Sequence, residues 1–176
     1  RLNELIDYWI KEEDLLRLEH VVIAGQGERL VGKTSSNPQV QEFLNLVPTY
    51  MGKIRQVHQA VIKGDVREVK DLLTRKRFAL SRDVTGASPL HLSILYGHPD
   101  VLKYIVEFFP ETLDGPDNEG RTPLHYAAVA PVIDVDYYQI LKSAGADINI
   151  KDKVRTSKHC ETAHLRVFLA HMRQYK

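Results

Sequence analysis

The sequence predicts an all-α solenoid of stacked helix-turn-helix units, preceded by a separate helical segment that caps the first unit. Histidines recur at His58, His91, His125 and His159, at intervals of 33, 34 and 34 residues. Residues 87–106 and 121–130 align without a gap on a shared Pro-Leu-His triplet. A fixed period of this length is the signature of a repeat architecture in which each unit buries its apolar face against its neighbours.

The composition fits a folded chain that binds proteins. Of its 176 residues, 43% are hydrophobic and 27% are charged, as in ordinary globular domains. The formal net charge of +1 argues against general nucleic-acid binding, which needs a basic face that makes several phosphate contacts. No apolar stretch approaches the length of about 18 residues that indicates a membrane-spanning helix. We therefore expect another protein as the partner, with no nucleic acid and no membrane insertion.

The single cysteine and the N-terminus bear on where the chain works. Cys160 cannot form an internal disulfide, and the first residues do not have the pattern of a secretory signal. We expect a cytoplasmic protein, with the nucleus as a second possible compartment. The first residue is Arg1, which suggests a piece of a longer polypeptide.

Two units carry a specific helix start. Residues 88–91 are Ser-Pro-Leu-His, and residues 122–125 are Thr-Pro-Leu-His. Proline is suited to the first helical turn, where its missing N–H group has no intrahelical partner. Together with Gly97-His98 at an inter-helix turn and Gly-Ala-Asp-Ile-Asn at residues 145–149, this motif resembles the ankyrin-repeat family. The resemblance implies helix-turn-helix repeats with β-turn fingers between them, and a structural role for the histidine of each motif.

The resemblance also predicts the division of the chain. Residues 1–50 form a divergent N-terminal helical cap, followed by repeats at about 51–82, 83–116 and 117–150 and by a degenerate C-terminal cap at 151–176. The first repeat keeps Gly64-Asp65 at its inter-helix turn. The third has Pro131 in place of the turn glycine and a two-residue insertion within residues 132–136, so its second helix should begin near Asp136.

The N-terminal segment has the same pattern in weaker form. Residues 10–22 parallel residues 62–73, with their apolar positions in register. We therefore predict an amphipathic helix over residues 2–23. A second helix should begin at Pro38, capped by Ser36 or Asn37.

Residues 27–34, Gly-Glu-Arg-Leu-Val-Gly-Lys-Thr, match the phosphate-loop pattern. Such a loop needs a preceding strand and a helix that starts at Gly-Lys-Thr and offers its N–H groups to phosphate. Here a helical pattern precedes the motif, and Pro38 would break such a helix at about 3 kcal/mol or more. On the simpler interpretation Gly25, Gly27 and Gly32 are turn residues and Lys33 is solvated. We expect no cofactor, and the alternative is a phosphate site formed by Gly27, Gly32, Lys33 and Thr34.

No catalytic or metal site stands out. Cys160, His164 and His171 could share a helix face, but their spacing is not that of structural zinc ligands. Catalytic triads are recognised by spatial geometry, and no serine, histidine and carboxylate grouping is evident in the sequence. We therefore expect no catalytic residues, no metal and no enzyme activity.

The family's usual contact positions predict where a partner binds. The resemblance implies a non-catalytic interaction or scaffold module whose concave groove binds a helix or an extended peptide. An exposed apolar and basic strip is expected, with tyrosine and arginine as hot spots. The predicted contact residues are Val84, Thr85, Ala87, Leu95, Tyr96, Asn118, Glu119, Arg121 and Val129. Two alternatives stay open: a nucleotide-regulated scaffold through residues 27–34, and a dimerising element through the helix over residues 2–23.

Overall fold

The computed structural model describes residues 1–130 and 135–153, and within these ranges its regular secondary structure is helical, without a strand. The all-α prediction is confirmed. A kinked turn at Val22–Gln26, in which Gly25 has a φ of 79°, and a 3-10 turn at Gly27–Leu30 follow the second α-helix, and another 3-10 turn lies at Pro110–Thr112. The α-helices are α1 (Leu2–Lys11), α2 (Leu15–Val21), α3 (Pro38–Lys63), α4 (Val66–Leu72), α5 (Lys76–Ala79), α6 (Pro89–Leu95), α7 (Pro99–Phe108), α8 (Pro123–Val129) and α9 (Tyr137–Ser143).

Three helix pairs stack side by side in the predicted order. The C-terminal half of α3 pairs with α4, α6 pairs with α7, and α8 pairs with α9. The first helices of the pairs contact one another in one row, and the second helices form another row. The second helix of the third pair begins directly after Asp136, as predicted. The core between the rows includes Val57, Val61, Val69, Leu90, Leu102, Ile105, Leu124 and Leu141.

The Pro-Leu-His motif starts α6 with reciprocal hydrogen bonds. The backbone N–H of Ser88 donates to Nδ1 of His91 (3.1 Å), and the backbone N–H of His91 donates to Oγ of Ser88 (3.4 Å). Thr122 and His125 repeat this capping box at the start of α8. On its other side, Nε2–H of His91 donates to the carbonyl oxygen of Arg121 (2.8 Å) in the next repeat. The motif histidine therefore has the structural role that the resemblance implies.

Helix α3 connects the N-terminal segment to the repeats. It begins at Pro38, and the Asn37 side chain accepts the N–H groups of Gln39 (2.9 Å) and Val40 (3.1 Å), as predicted. The first half of α3 packs in a cluster with α1 and α2, and its last turns pack in the repeat core. Along α3, Ile54 still belongs to the N-terminal cluster, and Val57 already belongs to the repeat core. The expected boundary at residue 50 thus lies inside a continuous helix.

The prediction of one amphipathic helix over residues 2–23 is wrong, because a turn separates α1 from α2. Glu13 has a φ of 60°, and the Asp14 side chain accepts the N–H of Arg17 (3.1 Å) at the start of α2. The inter-helix turn of the first repeat has the same arrangement, with Gly64 at a φ of 75° and Asp65 as the cap of α4. The parallel between residues 10–22 and 62–73 therefore extends to the turn itself.

Some predictions concern residues that the structure does not describe. Pro131, residues 132–134 of the segment that carries the predicted insertion and the C-terminal cap beyond residue 153 lie outside the described residues, as do Cys160, His164 and His171. Within the described ranges, none of the helices combines the length and the apolar character that crossing a bilayer requires.

Two glycines with positive φ provide a matched test of packing at the first repeat. Gly64 has a φ of 75°, and an added Cβ would lie 2.3 Å from Nδ1 of His98, whose Nε2–H donates to the Ile62 carbonyl oxygen (2.8 Å). Gly32 has a φ of 80°, and an added Cβ would meet nothing within 4 Å. Gly32→Ala should cost about 1 kcal/mol of backbone strain. Gly64→Ala should cost at least about 1 kcal/mol more, because the His98 hydrogen bond is lost as well. Urea denaturation measures both, and equal losses would contradict this account.

Candidate protein-binding surface

The turns between repeats are stiffened from within by buried aspartates. In the first of them the Asp83 carboxylate accepts the backbone N–H groups of Thr85 (2.8 Å) and Ala87 (3.0 Å). In the second, Asp117 accepts the N–H groups two and four residues further on, both at 2.9 Å. These turns have the geometry expected of β-turn fingers. We name them finger 1 (residues 81–87), finger 2 (115–121) and finger 3 (147–153).

Hydrogen bonds also join the fingers to one another. The backbone N–H of Asn118 donates to the Thr85 carbonyl oxygen (3.1 Å), and the Asn118 side-chain amide donates to the Val84 carbonyl oxygen (3.0 Å). Between fingers 2 and 3, the N–H of Lys153 donates to the Glu119 carbonyl oxygen (2.9 Å). The finger tips are therefore held in a fixed register. We call the surface formed by the fingers and the adjoining first helices α3, α6 and α8 the finger face.

Arg121, predicted as a hot spot, belongs to the internal network of finger 2. Its Nε donates to Oδ2 of Asp117 (2.8 Å), and the Tyr126 hydroxyl donates to the same oxygen (2.9 Å). Asp117 is fully buried at its side chain, and the Arg121 side chain is only 19% exposed. Burial, followed by the charge of Asp117, raises the pKa of Tyr126, so its hydroxyl stays protonated and can donate. Replacing Arg121 would therefore disturb the finger itself as well as any contact with a partner.

The other predicted contact residues differ in how accessible they are. Val84 is 62% exposed at the tip of finger 1. Burial, with a contribution from the charge of Asp83, raises the pKa of Tyr96. Asn118 and Glu119 are exposed at the tip of finger 2, whereas the side chains that are half-buried are Thr85, Tyr96 and Val129.

Two of the predicted residues are core residues. Ala87 is fully buried, and Leu95 is 7% exposed. The prediction that Leu95 is exposed is therefore wrong. The physical reason is the position of α6, which packs against α3, α7 and α8, so every residue of this helix is buried.

Sequence analysis missed a cleft at one end of the finger face. The cleft has a volume of about 470 Å³, which is within the range of ligand pockets, and lies between finger 1, α3 and the turn that follows α2. Met51 and Ile54 line it from α3, and Val84 lines it from finger 1. The exposed side chains of Arg55 and Glu28 also line it. The predicted contact residues lie in the second and third repeats, whereas most of the cleft is lined by α3 and by the turn after α2.

Glycines allow the turn after α2 to lie against finger 1. Gly25 has a φ of 79°, and an added Cβ would lie 2.6 Å from the Asp83 carbonyl oxygen. Beside it, the N–H of Arg82 donates to the Ile23 carbonyl oxygen (2.8 Å). An added Cβ on Gly27 would lie 2.9 Å from the Met51 side chain. Close packing in the cleft wall therefore accounts for both glycines.

The segment at residues 27–34 does not have the geometry of a phosphate loop. Gly27 begins a 3-10 turn that follows α2 and a turn in which Gly25 has a φ of 79°, so among the described residues no strand precedes the motif; α3 starts at Pro38, beyond Gly32, Lys33 and Thr34. Nζ of Lys33 lies 2.6 Å from Oδ1 of Asp7, and both side chains remain partly exposed to solvent. Lys33 thus forms a surface ion pair with α1.

The buried polar groups near the cleft have structural partners. Nε2 of His58 lies 3.0 Å from Oγ of Ser81, and the Ser81 hydroxyl donates to the Phe78 carbonyl oxygen (2.6 Å). Ser81 is fully buried, so its hydroxyl is not directed at open space. Among the residues that the structure describes, no group of histidine, cysteine and carboxylate side chains is arranged to hold a metal.

Comparison with known proteins identifies a matching family and several relatives. Residues 57–152 match a family model described as ankyrin repeats in three copies. Inversin of Mus musculus is 36% identical over 73 residues, which are 41% of this chain and 7% of inversin. Protein phosphatase 1 regulatory subunit 27 of Homo sapiens is 26% identical over 130 residues, which are 73% of this chain and 75% of that protein. Zinc finger CCCH domain-containing protein 56 of Arabidopsis thaliana is 40% identical over 82 residues, covering 44% of this chain and 11% of that protein.

The hydrogen-bond network around Asp117 predicts that two substitutions in finger 2 differ in their effect on the free energy of unfolding. Arg121→Ala leaves the buried Asp117 carboxylate without its cationic partner, and we expect a loss of about 3 kcal/mol in the free energy of unfolding. Glu119→Ala, at an exposed tip residue, should change it by no more than about 0.5 kcal/mol. Urea denaturation compares the two variants, and a similarly small effect of Arg121→Ala would show that Asp117 does not depend on this partner.

The burial of His91 should make the stability of the protein depend on pH. Burial lowers the pKa of His91 to about 4, although its hydrogen bond to Arg121 acts in the opposite direction. Below the ordinary pKa of about 6.5, the unfolded chain binds a proton that the folded protein does not, so stability is lost as the pH falls. The slope that His91 contributes is up to about 1.4 kcal/mol per pH unit.

Urea denaturation at several pH values between 7 and 4.5 measures this slope. His91→Gln should have a smaller slope than the wild type, whereas His20→Gln, at an exposed position, should keep the wild-type slope. The slope is the readout because His91→Gln also loses two hydrogen bonds and is less stable at every pH. An unchanged slope in His91→Gln would contradict the prediction.

Proposed function

The chain belongs to the ankyrin-repeat family, and from that premise we propose that its finger face binds a helical or extended segment of another protein. Ankyrin repeats are protein–protein interaction modules, in which stacked units present an extended concave surface. The chain would act as a non-catalytic scaffold or adaptor. One relative is by name a regulatory subunit of a phosphatase, which agrees with a role exerted through binding to another protein.

The exposure of Val84 is the observation that carries this proposal. A valine that is 62% exposed lies at the tip of finger 1, beside the cleft of about 470 Å³. Finger 1 is fixed internally by Asp83 and externally by the two hydrogen bonds from Asn118. A rigid apolar side chain loses little conformational entropy when a partner covers it, so a larger share of the contact energy appears as affinity.

The neighbouring surface has the mixed character of a protein interface. Asn118 and Glu119 supply exposed polar groups at the tip of finger 2, and the half-buried Tyr96 and Val129 lie at the ends of the first helices α6 and α8. Interfaces of this kind combine apolar anchors with a polar rim. We propose that Val84, Tyr96 and Val129 are the anchors and that Asn118 and Glu119 belong to the rim.

An apolar-to-acidic substitution at each of two exposed positions tests the site. Val84→Asp should abolish retention of the partner, because it places a charge at the proposed anchor. Leu16→Asp is the matched control, since Leu16 is 74% exposed on α2 and away from the finger face. Both variants should unfold within about 0.5 kcal/mol of the wild type.

The measurement is affinity purification from cell lysate with the wild type and both variants, read by mass spectrometry. We expect proteins that are retained by the wild type and by Leu16→Asp and are lost with Val84→Asp. Identical protein lists for Val84→Asp and the wild type would overturn the proposed site.

Self-association through the N-terminal helices is a second candidate. Leu5 is 47% exposed and Tyr8 is 54% exposed on α1. An exposed apolar surface on a helix can bind another copy of the chain. If this hypothesis is right, light scattering should show a concentration-dependent dimer that Tyr8→Asp removes. A strict monomer at high concentration would exclude it.

A further inference from the structure

The cleft beside Val84 has charged side chains of opposite sign on two of its walls. Arg55 projects from α3, and Glu28 projects from the turn that follows α2; both are exposed and both line the cleft. Among the described residues, neither forms an ion pair or a side-chain hydrogen bond, with each other or with a third group. Both charges are therefore open to a ligand that enters the cleft.

The other two charged groups of the cleft are already engaged. The Asp83 carboxylate accepts N–H groups of its own finger and the Thr85 hydroxyl (2.7 Å). The Arg82 guanidinium donates to the carbonyl oxygens of Gly86 (3.1 Å) and Pro116 (3.0 Å). The charges of Asp117 and Asp83 both act on the Arg82 guanidinium and offset part of its charge. The electrostatic preference of the cleft therefore depends on Arg55 and Glu28.

Apolar groups also line the cleft. Met51 is half-buried, Ile54 is 7% exposed, and Val84 projects from the opposite finger. The turn after α2 is held against finger 1 by the close approach of Gly25 to the Asp83 carbonyl oxygen and by the hydrogen bond from the Arg82 N–H to the Ile23 carbonyl oxygen (2.8 Å). The cleft is thus preformed, and its lining combines apolar groups with an open cation on α3 and an open anion on the turn after α2.

We propose that this cleft binds a peptide segment of the partner that carries an apolar side chain flanked on one side by an acidic residue and on the other by a basic residue. The apolar side chain packs on Met51, Ile54 and Val84, the acidic residue pairs with Arg55, and the basic residue pairs with Glu28. Exposed pairs of this kind contribute more to specificity and orientation than to affinity. Together they fix the direction in which the segment crosses the cleft. This inference rests on the proposed function of the finger face.

A charge exchange across the cleft provides the test. A phage library of random 12-residue peptides is selected against the wild type and against the double variant Arg55→Glu, Glu28→Arg. The wild type should enrich peptides with acidic and basic residues on opposite sides of an apolar residue. The double variant should enrich peptides with the same apolar residue and the two charges in reversed order. Synthetic peptides from each selection then give dissociation constants against both proteins.

We expect each peptide to bind its own protein at least about tenfold more tightly than the charge-exchanged protein. Lys53→Glu is the control, because Lys53 is exposed on the same helix but does not line the cleft, and it should leave the dissociation constant unchanged. The inference would be overturned if the selected peptides have no common charge order, if that order does not reverse with the double variant, or if no peptide is enriched.

The outcome also separates this inference from the proposed function. Val84→Asp serves as a third binding protein in the same assay. If a peptide binds Val84→Asp more weakly but binds the wild type and the charge-exchanged protein equally, the finger face remains the binding site. The pairing of the peptide's charges with Arg55 and Glu28 is then refuted. Peptides that bind all these proteins equally would refute both.

Discussion

Both nitrogens of the His91 imidazole form hydrogen bonds, one within its own repeat and one to the next repeat. Nδ1 accepts the N–H of Ser88 at the start of its own helix, and Nε2–H donates to the Arg121 carbonyl oxygen at the base of finger 2. Because the side chain is fully buried, the neutral ring is favoured and both bonds persist at neutral pH. A second histidine, His98, extends in the other direction to the Ile62 carbonyl oxygen of the first repeat. The central repeat is thereby tied to both neighbours.

The proposed binding surface depends on this registration of repeats. Finger 2 is positioned at its base by His91 and stiffened by Asp117, and its Asn118 then aligns finger 1 through two hydrogen bonds. The cleft follows from finger 1 in turn, since the glycine-containing turn after α2 lies against the backbone of Asp83. Side chains that determine the shape of the surface are therefore buried, and those available to a partner are few. This distribution explains why Arg121, which has the chemistry of a hot spot, also stabilises finger 2 from within.

Local sequence patterns predict the repeats correctly. They do not predict contacts between residues that are distant in sequence. The Pro-Leu-His motifs, the cap at Asn37 and the start of the last described helix after Asp136 depend on residues close together in sequence, so these elements were predicted correctly. The ion pair between Lys33 and Asp7 joins residues 26 positions apart, and no periodicity predicts it. Burial of Leu95 also needed knowledge of which helices flank α6. The break between α1 and α2 was missed because its positive φ belongs to Glu13 and not to a glycine.

Helix α3 has a consequence for how the molecule folds. Arrays of repeats commonly unfold in stages, because each unit contacts only its neighbours. Here one helix of 26 residues, about 39 Å long, contributes to the core of the N-terminal segment and to that of the first repeat. Loss of helical structure in one half removes the support of the other half, so the two clusters should form a single cooperative unit. Such coupling would protect the end of the array, where fraying otherwise begins, and would keep the cleft intact as long as the first repeat is folded.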